Sequence, residues 1–286
     1  MKLGVVYPQI ELGGAPEAVT GYARAAEALG YDHLIAYDHV LGAPHDGRDP
    51  PLTGPYTDKT PFHDPLVMFA YLAGVTPKLE FAPGVLVLPQ RQAVMVARQA
   101  ADLDLFSGGR LRLGVGTGWN YLEYEALGED YASRGPRMSE QIELMRRLWG
   151  EDLVSFEGRF HKVDRMSLNP RPGRQIPIWM GGRTEAAYRR AARLGDGFMF
   201  IGQSADAEAS WGRVEQLLGE AGRDPAAFGR ELIVWARPGV VEMADSGRRW
   251  RDLGGTHASF ATMGLGFTTL DQHVDYISEI KRLSEA

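Results

Sequence analysis

Asp38-His39 sets a carboxylate beside an imidazole at the end of a short apolar run, His33–Tyr37. Imidazole titrates near neutral pH, so His39 is a candidate proton donor or acceptor. Neighbouring residues on a strand point to opposite sides, so only one of the pair faces a shared site unless the strand bends. A plainer reading is equally open, in which Asp38 caps a helix and His39 packs. Gly114-Val115-Gly116-Thr117-Gly118-Trp119 is a second candidate. Its alternate glycines offer a flat surface to a planar ring, with Trp119 as a wall, or else they let two backbones pack closely. Gly181-Gly182-Arg183-Thr184 is a third. Thr184 can cap a helix whose free N–H groups, with Arg183, favour an anion. The same four residues also fit a tight turn with a solvent-facing Arg.

Other chemistries lack their residues. There is no cysteine, which excludes disulfides, thiolate nucleophiles and cysteine-ligated metal. His33, His45, His63, His161, His257 and His273 follow no metal-ligand spacing, and neither HExxH nor GxSxG occurs. No metal is therefore expected. A net charge of −6, with no basic stripe among the aromatics, argues against nucleic acid. The start, MKLGVVYPQIELGG, does not read as a signal peptide, and the apolar stretches fall well short of the ~20 residues that span a bilayer. A cytoplasmic protein without membrane contact is the expectation.

The elements that position these residues alternate along the chain. Strands are expected at Leu3–Tyr7, His33–Tyr37, Glu80–Leu88, Leu111–Val115, Ile176–Met180, Gly197–Ile201, Leu232–Ala236 and Ala258–Thr262. They are apolar without strict alternation, as strands buried on both faces are. Helical periodicity is expected over Pro16–Leu29 (closed by Gly30), Asp64–Gly74, Gln92–Phe106, Pro136–Trp149, Glu185–Leu194, Ala207–Ala221 and Leu270–Leu283, with a short, weak helix near Asp245–Leu253. Eight strand–helix units imply a parallel sheet closed as a (β/α)8 TIM barrel, one domain over 1–286. No GxGxxG follows the first strand, against a dinucleotide-binding sheet. Two insertions break the rhythm. Val40–His63, rich in Pro and Gly, follows strand 2 on the face where barrels carry their active sites and is expected to form a lid or wall for the substrate. Leu153–Arg165 reads as a small hairpin before strand 5. The strand ends carry Gly, Pro, Thr and aromatic residues, which suits a flat organic cofactor better than a metal.

Taken together, several segments resemble the luciferase-like monooxygenase family, and its deazaflavin (coenzyme F420) branch in particular. They are Gly30-Tyr31-Asp32 leading to Tyr37-Asp38-His39; Gly84 to Arg91; Leu105-Phe106-Ser107-Gly108-Gly109-Arg110 running into LGVGTGWNYLEYEALG; Arg134 to Trp149; Phe156-Glu157-Gly158; and Pro177 to Gly182. They follow the family order over roughly residues 1–202, with a looser match beyond. The resemblance implies a bacterial-luciferase-like barrel and an oxidoreductase. Asp38 would approach the deazaflavin ring, His39 would be the acid or base beside substrate, and Trp119 would complete the catalytic set. Val85, Leu86, Val87 and Leu88 would lie against the ring, with a non-prolyl cis peptide at Val85-Leu86. Thr117 and Gly118 would contact the cofactor, and Gly181, Gly182, Arg183 and Thr184 its phosphate. Trp119 stands where the sugar-phosphate dehydrogenase branch has a Glu acid, and lysines are few, so glucose 6-phosphate is not the expected substrate. Thr117 stands where luciferases have an Arg for the FMN phosphate, which favours F420. The leading expectation is F420-dependent hydride transfer to or from a small organic substrate. The alternatives are an FMN-dependent monooxygenase using oxygen and a non-catalytic flavin-binding barrel. Relatives often pair through barrel helices, so a homodimer is implied.

Overall fold

The structure is a computed structural model that describes residues 1–235 and 239–285. Its strands are β1 (Lys2–Val6), β2 (His33–Ala36), β3 (Glu80–Pro83), β4 (Leu86–Val87), β5 (Leu113–Gly116), β6 (Val154–Glu157), β7 (Lys162–Met166), β8 (Ile178–Gly181), β9 (Gly197–Gly202), β10 (Gly229–Val234) and β11 (His257–Ala261). The helices are α1 (Gln9–Leu12), α2 (Pro16–Ala28), α3 (Pro65–Ala73), α4 (Ala93–Ser107), α5 (Tyr121–Ala126), α6 (Arg134–Gly150), α7 (Glu185–Leu194), α8 (Ser204–Glu220), α9 (Val240–Asp252) and α10 (Leu270–Glu285).

Nine strands form one parallel sheet in the order β3-β2-β1-β11-β10-β9-β8-β5-β4. The two ends meet. Phe81 N–H donates to Arg110 O at 2.9 Å, and Arg112 N–H donates to Phe81 O at 2.9 Å. Because β3 and β4 are two parts of one expected strand, the closed sheet is an eight-unit (β/α)8 TIM barrel. Its strands bury both faces. One layer, including Val5, Leu34, Phe81, Leu113, Ile178 and Leu232, packs under the helices. A second, including Val6, Ile35, Trp179, Met199 and Ile233, fills the barrel and ends at its mouth.

The single run Glu80–Leu88 is broken. Gly84 N–H makes the last bond to β2, donating to Ala36 O at 2.9 Å, and from Leu86 the chain pairs with β5 instead. The cis peptide lies at this exchange, between Gly84 and Val85, one residue before the expected Val85-Leu86. A side chain at 84 would press within 2.6 Å of Ile35 Cγ2, so glycine suits the point where the chain leaves β2.

Helix starts follow their capping chemistry. Asp64 precedes Pro65 and accepts from Leu66 N–H at 2.9 Å and Val67 N–H at 3.0 Å, while its other oxygen holds Arg91 Nη1 at 2.7 Å. Asp64→Ala is expected to cost about 1–2 kcal/mol through the lost cap, seen as a lower urea midpoint at unchanged slope. Gly30 closes α2 at φ 78°, as expected of a residue just past a helix. α9 is longer than the weak Asp245–Leu253 stretch suggests. Its buried face is made of Met243, Ala244, Ser246, Gly247 and Trp250, too small and polar to register as an apolar stripe. The small residues allow close approach, since a Cβ at Gly247 would lie 2.9 Å from the Phe260 ring.

Several strands are offset from expectation. β5 runs Leu113–Gly116 rather than from Leu111, and β8 runs Ile178–Gly181 rather than from Ile176. β10 begins at Gly229, and the expected end at Ala236 lies outside the described residues. The Leu153–Arg165 hairpin is present as the antiparallel pair β6–β7, and Val40–His63 contains neither helix nor strand. Among the described residues no helix is long and apolar enough to cross a membrane.

Candidate active site at the barrel mouth

The mouth holds a cavity of about 230 Å³ bounded by Tyr37, Asp38 and His39 after β2, Gly84, Val85 and Val87 around the strand break, and Gly118 and Trp119 after β5. Ile201 of β9, Trp235 after β10, and Pro55 and Tyr56 from the insertion complete it. The insertion is therefore a wall of the site. Trp119 seats it, because a Cβ at Gly54 would fall 2.2 Å from the indole. Tyr121 O–H ties it down by donating to Pro50 O at 2.8 Å, so Tyr121 anchors the wall instead of lining the pocket.

His39 is the polar centre of an aromatic cage. Its ring centroid lies 5.4 Å from Tyr56, 4.9 Å from Phe62 and 5.2 Å from Trp119, all edge-on. Nδ1 lies 2.7 Å from Glu123 Oε2, and Glu123 Oε1 accepts from Val40 N–H at 2.7 Å and Leu41 N–H at 3.1 Å. A carboxylate only accepts, so Nδ1 carries the proton in this contact and Nε2 remains for chemistry. Glu123 is 2% exposed and was not anticipated from sequence. The pattern Asn120-x-x-Glu123 looks like a capping box. Asn120 does cap α5, accepting from Leu122 N–H at 3.1 Å, but Glu123 reaches across to the β2 loop.

Asp38 acts on the backbone. Its Oδ2 accepts from Val87 N–H at 2.8 Å and its Oδ1 from Arg91 Nη2 at 2.6 Å. Burial raises its carboxyl above the ordinary carboxylate value, and Arg91 and the Val87 N–H pull it back. Both oxygens thus fix the segment after the strand break, while Asp38 itself still borders the cavity. Nor does it cap a helix.

Side chains alternate through that segment. Val85 and Val87 line the cavity, whereas Leu86 and Leu88 are fully buried in the layer under the helices. The expected ring contacts of Leu86 and Leu88 are corrected accordingly, because adjacent residues on an extended chain face opposite sides and four in a row cannot all meet one ring. The glycines answer to the same segment. A Cβ at Gly116 would meet Val85 Cγ2 at 2.4 Å, one at Gly118 would meet Val87 Cγ1 at 2.7 Å, and one at Gly181 would meet Val85 Cγ1 at 2.8 Å. The bare glycine floor is thus corrected to a valine-covered one, with close packing beneath.

Thr117 and the 181–184 segment do not line this cavity. Thr117 O accepts from Tyr124 O–H at 2.7 Å. Gly181 ends β8, Gly182 turns at φ 146°, and Thr184 caps α7 by accepting from Ala187 N–H at 3.3 Å. Arg183 is exposed, with one long contact of 3.5 Å to Ile201 O. Among the described residues no cluster of His, Asp or Glu could hold a metal.

The chain is similar to several known proteins. An uncharacterised protein of Mycobacterium tuberculosis is 38% identical over 206 residues, 70% of this chain and 71% of that one. The pyrimidine monooxygenase RutA of Allorhizobium ampelinum is 35% identical over 188 residues, 62% of this chain and 51% of its own length. Among solved structures, an F420-dependent secondary alcohol dehydrogenase in complex with an F420-acetone adduct superposes with a TM-score of 0.80 at 18% identity, over 99% of this chain and 98% of that one. The family model of the luciferase-like monooxygenases matches residues 1–273. This chain belongs to the luciferase-like monooxygenase family, whose members are oxidoreductases and monooxygenases.

Proposed function

We propose that the protein is an F420-dependent oxidoreductase that moves a hydride to or from a small organic substrate, with His39 handling the proton. The carrying observation is the His39–Glu123 pair, at 2.7 Å, opening on the same cavity as Val85 and Val87. A planar ring fits these residues. The valines and Trp119 are apolar faces, and Tyr37 Oη and Trp235 Nε1 are buried polar atoms with no partner among the described residues. A phosphate belongs outside the cavity, which contains no Lys or Arg; Gly182, Arg183 and Thr184 at the start of α7 are the proposed holders.

A bound deazaflavin would give or take the hydride. The chain's own contribution is orientation. Asp38 and Arg91 fix Val87, the aromatic cage fixes His39, and the insertion limits water. His39 Nε2 gives or takes the proton at the substrate heteroatom. Titration of the purified protein with F420 and with FMN tests the reading, with tighter binding of F420 expected. Uptake of FMN alone would instead favour a monooxygenase using reduced flavin and oxygen, a second reading supported by the 35% identity to a pyrimidine monooxygenase. Uptake of neither would sink both.

A further inference from the structure

Tyr37 Oη and Trp235 Nε1 are sealed from solvent, bond to no described residue, and belong to side chains that line the His39 cavity. A buried polar atom left unpaired weakens a fold, and native structures keep few of them. Neither atom serves another described residue. An indole N–H can only donate. Burial raises Tyr37 well above the ordinary phenol value, so its hydroxyl keeps the proton and can donate too.

Charge narrows what these donors receive. The lining contains no Lys or Arg, and Arg91, bonded to the lining residue Asp38, already holds Asp38 and Asp64. The His39–Glu123 pair adds no net positive charge. A carboxylate or phosphate would be buried among Tyr56, Trp119 and the two valines without a counter-charge, a heavily penalised state. A neutral carbonyl oxygen accepts two hydrogen bonds and carries no such penalty.

We propose that Tyr37 and Trp235 form an acceptor-oxygen subsite, by which the cavity takes a neutral carbonyl-bearing molecule beside His39 and rejects its anionic isostere. The inference rests on the reading of this cavity as a deazaflavin- or flavin-linked active site. The oxygen belongs either to the substrate or to a carbonyl of the cofactor ring, and titration separates the two.

The test uses Tyr37→Phe and Trp235→Phe, folding of each being checked by circular dichroism. Tyr37→Phe removes one atom that has no partner among the described residues, so it is expected to fold unchanged. Cyclohexanone and cyclohexanecarboxylate are titrated calorimetrically into wild type and variants, with and without cofactor, and F420 and FMN are titrated separately. Wild type is expected to bind cyclohexanone more tightly than the carboxylate. Each lost donor is expected to weaken binding roughly three- to tenfold. A loss for cyclohexanone assigns the oxygen to substrate, and a loss for F420 or FMN assigns it to the ring. If folded Tyr37→Phe changes neither affinity, or if wild type binds no cyclohexanone while cofactor affinity is untouched, the subsite is wrong. Equal binding of the carboxylate overturns the neutrality claim. Failure of every flavin to bind, with cyclohexanone still sensitive to Tyr37→Phe, removes the functional reading and leaves the subsite standing.

Discussion

Glu231→Ala is expected to destabilise the protein by about 3–5 kcal/mol, because it strands a buried guanidinium inside the barrel. Glu231 is wholly buried on β10. Its Oε1 meets His33 Nε2 at 2.7 Å and Ser259 Oγ at 2.6 Å, and its Oε2 accepts from Arg112 Nη1. Arg112 also lies over the Trp179 ring, 4.1 Å from its centroid, and its Nε and Nη2 have no hydrogen-bond partner among the described residues. The barrel is built around this group. A Cβ at Gly4 would fall 2.3 Å from His33 Nε2, so the glycine makes room for the imidazole. Breaking one member of such a set leaves an uncompensated charge, whereas replacing the charged pair together by apolar groups is often neutral. The double change Glu231→Leu with Arg112→Met is therefore expected to recover most of the loss. Urea unfolding decides it: a single variant within about 1 kcal/mol of wild type would mean that the pair is solvated and contributes little.

The same cluster sets the acid side of stability. Burial alone would raise the Glu231 carboxyl, yet Arg112 and His33 outweigh it and hold it well below the ordinary value. Burial, with Arg112, lowers His257 from 6.5 to about 3. Both groups have folded values below their unfolded ones. Their stabilisation is complete above the unfolded values and disappears as pH falls toward the folded ones. For His257 that decline starts near 6.5 and runs to about 3; for Glu231 it begins near 4.5 and continues well below.

The barrel was legible because its strands are short apolar runs separated by amphipathic helices, a pattern that depends only on side-chain polarity. What escaped is what that pattern treats as noise. His33, Arg112, Glu231 and Ser259 are polar residues on barrel strands, and each is meaningful only against partners far along the chain. The early start of β10 was missed for the same reason, since Gly229-Arg230-Glu231 does not look like a buried strand. The candidate site was legible as Asp38-His39 and Trp119, residues that line one cavity at the barrel mouth. Their roles were not, because Glu123 meets His39 across 84 positions and Asp38 meets Val87 N–H across 49. Val85, Leu86, Val87 and Leu88 alternate in facing after a strand break whose position polarity does not encode.

His39→Ala is expected to lower kcat by roughly 10²–10⁴-fold while leaving cofactor affinity in place, because the imidazole handles a proton and does not hold the ring. The cage predicts the fold's tolerance: Tyr56, Phe62 and Trp119 contact one another or the insertion as well as His39, so the wall persists without it. Glu123 works at one remove. It orients Nδ1 and ties Val40 and Leu41 to α5, so Glu123→Ala is expected to reduce kcat and loosen the insertion together. Glu123→Gln keeps one acceptor oxygen and is expected to recover part of the loss. Added imidazole separates the two roles. It should restore turnover to His39→Ala, whose defect is a missing proton carrier in a cage of the right size, and do nothing for Glu123→Ala, whose own imidazole is present but misdirected. Full activity in His39→Ala without added imidazole would show that the proton travels by another group. Equal rescue of both variants would show that Glu123 acts on the proton and not on the ring that carries it.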